Sequence, residues 1–272
     1  MENLAARARA VASLFDLEGR VAVVTGGGKG LGEAMALALA GAGADVVIAG
    51  KTQANNQRVA DQVTGMGRMS LAVEVEVRDE RKVAGMVRQV VKERGRLDIL
   101  VNCAGYADVR PIAEFPLDLW EYIMDVNAKG TFLCSREAAK IMLQQEKGKI
   151  INISSLQGFA GRSGDAAYAA SKSAVNLMTK SMACEWAGRG ICVNAVAPTW
   201  CWTDLTSPLL GNEPFYRRIQ ERIPAGRAGN REDLMGIAVF LASDASDFIN
   251  GAIIPVDGGA IASDGFPEVP GE

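Results

Sequence analysis

Short apolar runs alternate with segments of helical periodicity along most of this chain. Runs rich in β-branched residues are predicted to be strands at residues 20–25, 45–49, 71–77, 97–102, 150–153, 191–196 and 253–256. Helical periodicity predicts helices at residues 33–42, 55–66, 79–94, 116–146 and 231–243, and another that contains residue 168 and ends near 188. Because strands and helices alternate, the pattern predicts an α/β fold with a doubly wound, mostly parallel sheet flanked by helices.

The chain has 272 residues and neither a repeat nor a break in composition, which predicts one domain over residues 15–262. Residues 1–14 are alanine-rich and are expected to form an N-terminal arm or a surface helix. The Pro/Gly-rich residues 263–272 are expected to be a loose C-terminal tail. Residues 199–227 are predicted to be irregular and are longer than an ordinary loop, which favours a lid over a substrate.

Composition excludes several classes of function. The net charge is −3 with no dense basic block, so no nucleic-acid partner is expected. Apolar runs fall short of the ~20 residues of a membrane span, and the N-terminus lacks the apolar core of a secretory signal. Five scattered cysteines favour reduced thiols in a cytoplasmic protein. The absence of histidine removes Ser-His-Asp catalysis and histidine metal sites, and no metal is expected.

A glycine-rich turn lies between the first predicted strand and the first predicted helix. Its sequence is Thr25-Gly-Gly-Gly-Lys-Gly-Leu-Gly32. In this context glycines let the backbone approach a pyrophosphate, and the helix N-terminus offers free N–H groups and a positive dipole end. The turn therefore predicts a dinucleotide site. Its expected contacts are Gly26, Gly28, Lys29, Gly30, Leu31 and Gly32.

The end of the second strand bears on the choice of cofactor. An acidic residue often stands there in NAD-binding proteins and holds the ribose hydroxyls, but this chain has Gly50-Lys51-Thr52. A lysine attracts a 2′-phosphate that a carboxylate would repel. Lys51, with Lys29 in the glycine turn, favours NADP(H) over NAD(H). The alternative is that both lysines are solvated surface charges and NAD(H) binds without the acidic contact.

Tyr168 and Lys172 are four residues apart, which places them on one face of a helix. A neighbouring ammonium favours the phenolate and is expected to lower the pKa of Tyr168, so the pair is a candidate acid and base near neutral pH. Ser155 lies thirteen residues earlier, at the end of a predicted buried strand. Ser154 is the competing serine, because neighbours on a strand point to opposite faces.

Several motifs occur together in one order along the chain: Thr25-Gly-x-x-x-Gly30-x-Gly32, Asn102-Cys-Ala-Gly105, Asn127, Ser155, Tyr168-x-x-x-Lys172 and Pro198 followed by Thr203. In this respect the chain resembles the classical short-chain dehydrogenases/reductases over about residues 16–262. The resemblance implies a single-domain Rossmann fold with seven parallel strands, and NAD(P)-linked hydride transfer at a ketone or secondary alcohol. It also implies a small-molecule substrate and a homotetramer or dimer.

The resemblance implies roles for particular residues. It assigns the catalytic roles to Asn127, Ser155, Tyr168 and Lys172, with Ser155 bonding the developing oxyanion and Asn127 holding a water that links Lys172 to solvent. It extends the expected cofactor site to Val77, Asn102, Ala104, Gly105, Pro198, Cys201 and Thr203, together with Tyr168 and Lys172. Four positions depart from the family pattern: Glu76, Cys103, Thr199 and Trp202.

The substrate side is expected to contain Gln157, Phe159, Arg162 and Trp200. The opening residues 15–25 and the short tail resemble gluconate-type sugar-acid dehydrogenases, whose substrates are small and polar. The 3-oxoacyl-carrier-protein reductases share nearly all the same motifs and are the closest alternative. Arg217, Arg218 and Arg222 bear on the choice: arginines on an exposed rim would favour an acidic carrier protein, and inward-facing ones a small anion. A non-catalytic dinucleotide-sensing protein is the alternative outside enzymes.

Overall fold

The computed structural model describes residues 10–263. Within that range seven parallel strands form one sheet in the order β3-β2-β1-β4-β5-β6-β7. The strands are β1 (Val21–Thr25), β2 (Asp45–Gly50), β3 (Ser70–Glu74), β4 (Ile99–Asn102), β5 (Gly148–Ile153), β6 (Ile191–Pro198) and β7 (Ile253–Val256). The predicted Rossmann fold is confirmed.

Helices cover both faces of the sheet. They are α1 (Gly30–Gly41), α2 (Gln53–Gly65), α3 (Glu80–Arg94), α4 (Leu117–Met124), α5 (Gly130–Gln145), α6 (Ala166–Trp186), α7 (Ser207–Leu210), α8 (Glu213–Arg222) and α9 (Met235–Ala242). Alternate residues of each strand enter opposite cores. In β1, Val21 and Val23 belong to the core under α3, α5 and α6, whereas Ala22 and Val24 belong to the core under α1, α2 and α9. The central strands are therefore buried on both faces, which explains their continuous apolar runs.

The strand order reverses at β1, which pairs with β2 on one side and β4 on the other. Thr25 and Asn102 are partners in the β1–β4 ladder, so the loops that follow the two strands start side by side. The Thr25 hydroxyl accepts hydrogen bonds from the backbone N–H groups of Cys103 and Ala104, at 3.2 and 3.3 Å. In open α/β sheets, ligands bind in the crevice at this point.

The predicted helix over residues 116–146 is interrupted near its middle, at Asn127 and Gly130. Helix α4 ends at Met124, a π-helical turn covers Asp125–Lys129, and α5 begins at Gly130. Single π turns inside α-helices occur frequently at functional sites. The third strand is shorter than predicted, because it ends at Glu74 rather than continuing to residue 77.

The prediction that residues 199–227 are irregular is wrong. The segment contains α7 and α8. Asn212 caps α8 by accepting the N–H of Phe215 at 3.1 Å. Prolines stand in the first turn of both helices, where the missing N–H costs little. The two helices form a small core of their own, with Leu210, Ile219, Ile223, Ala228 and Ala260 buried.

The ends of the chain are only partly described. A short 3₁₀ helix covers Val11–Phe15 at the end of the expected N-terminal arm. The expected tail, apart from Ser263, lies outside the described residues. Of the helices between residues 10 and 263, none is long and apolar enough to cross a membrane.

Candidate active site

The glycine turn makes close backbone contacts that side chains would prevent. Gly26 and Gly30 have φ of +66° and +60°, a left-handed conformation that glycine adopts without strain. A Cβ on Gly26 would lie 2.8 Å from the backbone nitrogen of Ala104, and a Cβ on Gly32 would lie 2.3 Å from the carbonyl oxygen of Gly26. The turn is thus folded tightly onto both β4 and its own helix.

Helix α1 begins directly after this turn and points its N-terminus into the crevice. Its N-cap residue is Lys29, and among the described residues no side-chain cap is made there. The first N–H groups of the helix are therefore available to an anion, and the dipole of the helix favours one. Glu33, the acidic residue of the first turn, is held by Arg58 at 2.8 Å. The turn fits a dinucleotide pyrophosphate.

A cavity of about 470 Å³ extends along the crevice from Lys51 to Tyr168. Its lining includes almost every residue expected in the cofactor site: Gly26, Gly28, Lys29, Gly30, Leu31, Gly32, Lys51, Val77, Ala104, Gly105, Tyr168, Lys172, Pro198, Cys201 and Thr203. Asn102 is the exception. Its side chain is buried under the crevice, where it donates to Ser135 at 2.9 Å and to Asn152 at 2.8 Å.

Ser155 and Tyr168 meet at the inner end of the cavity. The Ser155 hydroxyl lies close enough to the phenol of Tyr168 to act on its pKa, and it donates a hydrogen bond to the Gln157 side chain at 2.8 Å. Ser154 is buried, and its hydroxyl bonds Asn176 of α6 at 2.5 Å. The geometry therefore supports Ser155 as the serine that faces a ligand.

Lys172 lies one turn after Tyr168 on α6, with its ammonium 5.6 Å from the centroid of the phenol ring. The ammonium donates to the backbone carbonyl of Ile153 at 2.7 Å. Burial lowers the pKa of Lys172 to about 8. Burial also raises the pKa of Tyr168 to about 12, although the nearby Ser155 hydroxyl acts in the opposite direction. The expected lowering of the tyrosine pKa by Lys172 is therefore not seen, because desolvation of the phenol dominates.

Asn127 lies in the π turn and is fully buried. Its side-chain oxygen accepts the backbone N–H of Tyr106 at 2.8 Å, and its side-chain nitrogen donates to the Tyr106 carbonyl and to the Ser171 hydroxyl, both at 2.9 Å. A Cβ on Gly105 would lie 3.4 Å from the Asn127 oxygen and 3.8 Å from the Lys172 nitrogen. Asn127 thus connects the loop after β4 to α6 close to the Lys172 ammonium.

A charged cluster closes the outer end of the cavity. Lys51 pairs with Glu76 at 3.2 Å and donates to the Tyr122 hydroxyl at 3.3 Å. Arg78 also binds Glu76, at 3.1 Å, and its guanidinium lies 4.4 Å from the centroid of the Tyr122 ring. Burial alone would raise the pKa of Glu76, but the hydrogen bonds from Arg78 and Lys51 outweigh it and lower the pKa to about 2. Glu76 is therefore a carboxylate at neutral pH.

The expected substrate residues lie beside the cavity rather than in its lining. Gln157 bonds Ser155, and Phe159 is exposed on the same loop. The guanidinium of Arg162 lies over the ring of Trp200 at 5.0 Å. Trp202, which departs from the family pattern, packs on Tyr216 of α8 at 5.5 Å and thereby belongs to the small core around α7 and α8.

Several residues of the site were not predicted. Asn56 joins the ends of β2 and β3 by donating to the carbonyls of Gly50 and Val73, at 2.9 and 3.0 Å. Tyr122 was predicted only as part of a helix, yet it holds Lys51 at the outer end of the cavity. Both contacts are tertiary, so no local motif signals them.

The crevice combines a phosphate-binding turn with a tyrosine and a serine at the far end of the same cavity. This fold and site define an NAD(P)-dependent oxidoreductase that acts on CH–OH groups. Residues 26–260 match the family model described as enoyl-(acyl carrier protein) reductase. The chain belongs to the short-chain dehydrogenase/reductase family, as its motifs had indicated.

Relatives of known activity cover nearly the whole chain. The 2-dehydro-3-deoxy-D-gluconate 5-dehydrogenase of Escherichia coli K12 is 44% identical over 253 residues, which span 93% of this chain and 99% of that protein. The gluconate 5-dehydrogenase of Gluconobacter oxydans is 37% identical over 92% of this chain and 98% of its own. The crystal structure of a gluconate 5-dehydrogenase from Burkholderia cenocepacia, in complex with NADP and tartrate, is 38% identical with a TM-score of 0.89 and covers 92% of this chain and 99% of that one.

Replacing Tyr168 with phenylalanine should remove the candidate acid and base without altering the shape of the cavity. We expect kcat to fall by about 10³-fold, a loss within the range that a positioned acid or base supplies. Binding of NADPH, followed by its fluorescence, should stay unchanged. Tyr216→Phe, on α8, is the matched control, and its kcat should stay close to that of the wild type. A Tyr168→Phe variant that keeps near-normal turnover would contradict the role of the phenol.

The raised pKa of Tyr168 sets the direction of the pH dependence. Below that pKa the phenol is protonated, which is the form that donates a proton during ketone reduction. Alcohol oxidation needs the deprotonated form, whose fraction grows about tenfold per pH unit below the pKa. We expect kcat/KM for oxidation to rise from about pH 7 to about pH 10, measured by the absorbance of reduced nicotinamide. An oxidation profile that is flat or falls over this range would be inconsistent with Tyr168 as the titrating base.

Proposed function

We propose that this chain interconverts a secondary alcohol and a ketone in a hydroxylated carboxylic acid of the gluconate type, with NADP(H) as its preferred cofactor. The observation that supports it best is that Ser155, Tyr168 and Lys172 line one end of the same cavity as the glycine turn, with Arg162 close enough for its charge to influence the pKa of Tyr168. The names of the Escherichia coli and Gluconobacter oxydans relatives support the substrate class.

The residues at the inner end of the cavity have different roles in the proposed reaction. NADP(H), when bound, supplies or accepts the hydride. Tyr168 gives its proton to the carbonyl oxygen during reduction and takes the hydroxyl proton during oxidation. Ser155 donates a hydrogen bond to the same oxygen and stabilises its developing charge, after turning its hydroxyl from Gln157.

Lys172 and Asn127 have supporting roles in the proton transfer by Tyr168 and Ser155. The Lys172 ammonium lies beside the phenol and next to Gly105, where a nicotinamide ribose would be within reach. Its lowered pKa makes it a group that can release a proton near pH 8. Asn127 holds the loop that contains Gly105 against α6, and we propose that it also supports a water-mediated path from Lys172 to solvent.

The preference for NADP(H) rests on Lys51, which is exposed at the end of β2. Its ammonium is available to a 2′-phosphate, but Glu76 competes for it at 3.2 Å. Lys29 is a second exposed cation on the same cavity. That the Burkholderia cenocepacia enzyme was crystallised with NADP is consistent with this choice.

A 3-oxoacyl-carrier-protein reductase is the second candidate, because one observation favours it. Arg217, Arg218 and Arg222 are exposed on α8, the arrangement expected for an acidic carrier protein. The same helix also exposes Glu213 and Glu221, and Glu213 pairs with Arg217 at 3.5 Å. The positive charge of this surface is thus partly cancelled, which supports the small substrate over the carrier protein.

We further propose a homotetramer or dimer in a reducing compartment such as the cytoplasm. Helices α5 and α6 each expose a large apolar side chain, Phe132 at 42% and Leu177 at 66%. Such residues support pairing through these two helices. All five cysteines lie in the described part of the chain as free thiols, which is consistent with a reducing environment.

A substrate panel tests the proposed reaction. Purified protein would be assayed with 5-oxo and 2-oxo sugar acids, neutral ketoses and 3-oxoacyl thioesters, each with NADPH and with NADH, by the loss of absorbance of the reduced nicotinamide. We expect the highest kcat/KM with an oxo sugar acid and NADPH. Preferred turnover of the 3-oxoacyl thioesters would instead select the carrier-protein reductase.

Two substitutions at the outer end of the cavity test the choice of cofactor. Lys51→Ala should weaken NADPH binding roughly 5- to 10-fold and leave NADH nearly unchanged, because only NADPH presents a 2′-phosphate. Glu76→Gln removes the competing charge and should strengthen NADPH binding. Lys129→Ala, an exposed lysine paired with Asp125, is the matched control. Fluorescence titrations that show equal losses for both cofactors in Lys51→Ala would remove the basis for preferring NADP(H).

A further inference from the structure

Arg162 and Asp165 form an ion pair immediately before the helix that bears Tyr168. The Arg162 Nη2 atom lies 2.7 Å from Asp165 Oδ2. Asp165 is the N-cap residue of α6, a position where aspartate ordinarily accepts an N–H of the first turn. Here its side chain makes no such bond within the described structure and is turned to Arg162 instead.

Both members of the pair have buried polar atoms that are left unbonded. Asp165 is only 2% exposed, yet its Oδ1 atom has no hydrogen-bond partner among residues 10–263. The Nε atom of Arg162 is likewise buried and unbonded by any described residue. Buried polar groups in native proteins are nearly always bonded, so each exception needs an explanation. One acceptor and one charged donor, side by side, fit a ligand that has both a hydroxyl and an anionic group.

Trp200, at the start of the segment 199–227, lies over one member of this pair. The Trp200 ring lies 5.0 Å from the Arg162 guanidinium, and it packs edge-on against Phe215 of α8 at 5.2 Å. Trp200 thereby links Arg162 to α8. The pair is also close to the reacting group, because the charges of Asp165 and Arg162 both influence the pKa of Tyr168, which follows Asp165 by three residues.

We propose that Arg162 and Asp165 are specificity-determining residues that together bind the end of the substrate remote from the reacting carbon. Arg162 binds a carboxylate, and the free oxygen of Asp165 accepts a hydrogen bond from a neighbouring hydroxyl, with Trp200 closing over both. A carboxylic acid that lacks the hydroxyl leaves Asp165 unbonded and repels it, so the site selects α-hydroxylated acids over simple ones. This inference rests on the proposed function for its substrate class.

Two dicarboxylates of equal chain length, tartrate and succinate, distinguish the contact made by Arg162 from the contact made by Asp165. Tartrate has a hydroxyl beside each carboxylate, and succinate has none. Their affinities for the complex of the enzyme with NADP⁺ would be measured by isothermal titration calorimetry, which requires no turnover. For the wild type we expect tartrate to bind about 10-fold more tightly than succinate, as one hydrogen bond to a charged group can provide.

The variants are expected to differ in which contact they remove. Arg162→Gln should weaken both ligands by about 10- to 100-fold. Asp165→Ala should abolish the preference for tartrate without weakening succinate, and Asp165→Asn, which keeps an acceptor oxygen, should retain part of the preference. Arg217→Gln, an exposed arginine of α8, is the matched control and should change neither affinity. Thermal unfolding of each variant verifies that it is folded, and Asp165→Asn substitutes for Asp165→Ala if the latter is unstable.

The outcomes separate this inference from the proposed function. If oxo sugar acids are turned over but Arg162→Gln and both Asp165 variants bind tartrate and succinate as the wild type does, the pair is not the specificity site and the proposed function stands. If the binding pattern is as expected but no sugar acid is turned over, the role of Arg162 and Asp165 in binding is supported and only the proposed reaction is rejected. Equal affinity of the wild-type enzyme for tartrate and succinate overturns the role of Asp165.

Discussion

The close approach of two backbones at the reversal of strand order is the constraint on which the rest of the structure depends. Gly26 at the end of β1 contacts Ala104 after β4, and Gly32 on α1 lies against Gly26. Any side chain at Gly26 or Gly32 would overlap backbone atoms, and these cannot move without separating the strands. This packing points the N-terminus of α1 into the crevice and positions the loop of Gly105, against which Asn127 and Lys172 lie.

Desolvation, rather than the attraction between neighbouring charges, dominates the proton affinities at the inner end of the cavity. Tyr168 holds its proton more strongly than a phenol in water and Lys172 less strongly than a free amine. Both shifts favour the neutral forms, as expected for groups withdrawn from solvent. A positive charge in the cavity would act in the opposite direction on the phenol.

The fold and most of the lining of the candidate cofactor cavity were predictable from the sequence because they depend on local signals. Buried parallel strands are continuous apolar runs, and the glycine turn has a fixed place between strand and helix. Helices α7 and α8 were missed although their prolines, Pro208 and Pro214, stand in the first turn, where helices accept proline. The cluster of Glu76 and Tyr122 and the unbonded oxygen of Asp165 were also missed, since they depend on tertiary packing that spacing does not reveal.

The π turn at Asp125–Lys129 sets the angle around the helix axis by which the side chains of α5 are rotated relative to those of α4. Successive residues of an α-helix differ by about 100° around its axis, so one residue more or fewer rotates everything on the far side by that angle. Removing a single residue from the turn would allow continuous α-helical bonding, yet it would rotate α4, with Tyr122, by about 100° relative to α5. We therefore expect homologues to have neither insertions nor deletions in these five residues, even though a helix of either length would be stable.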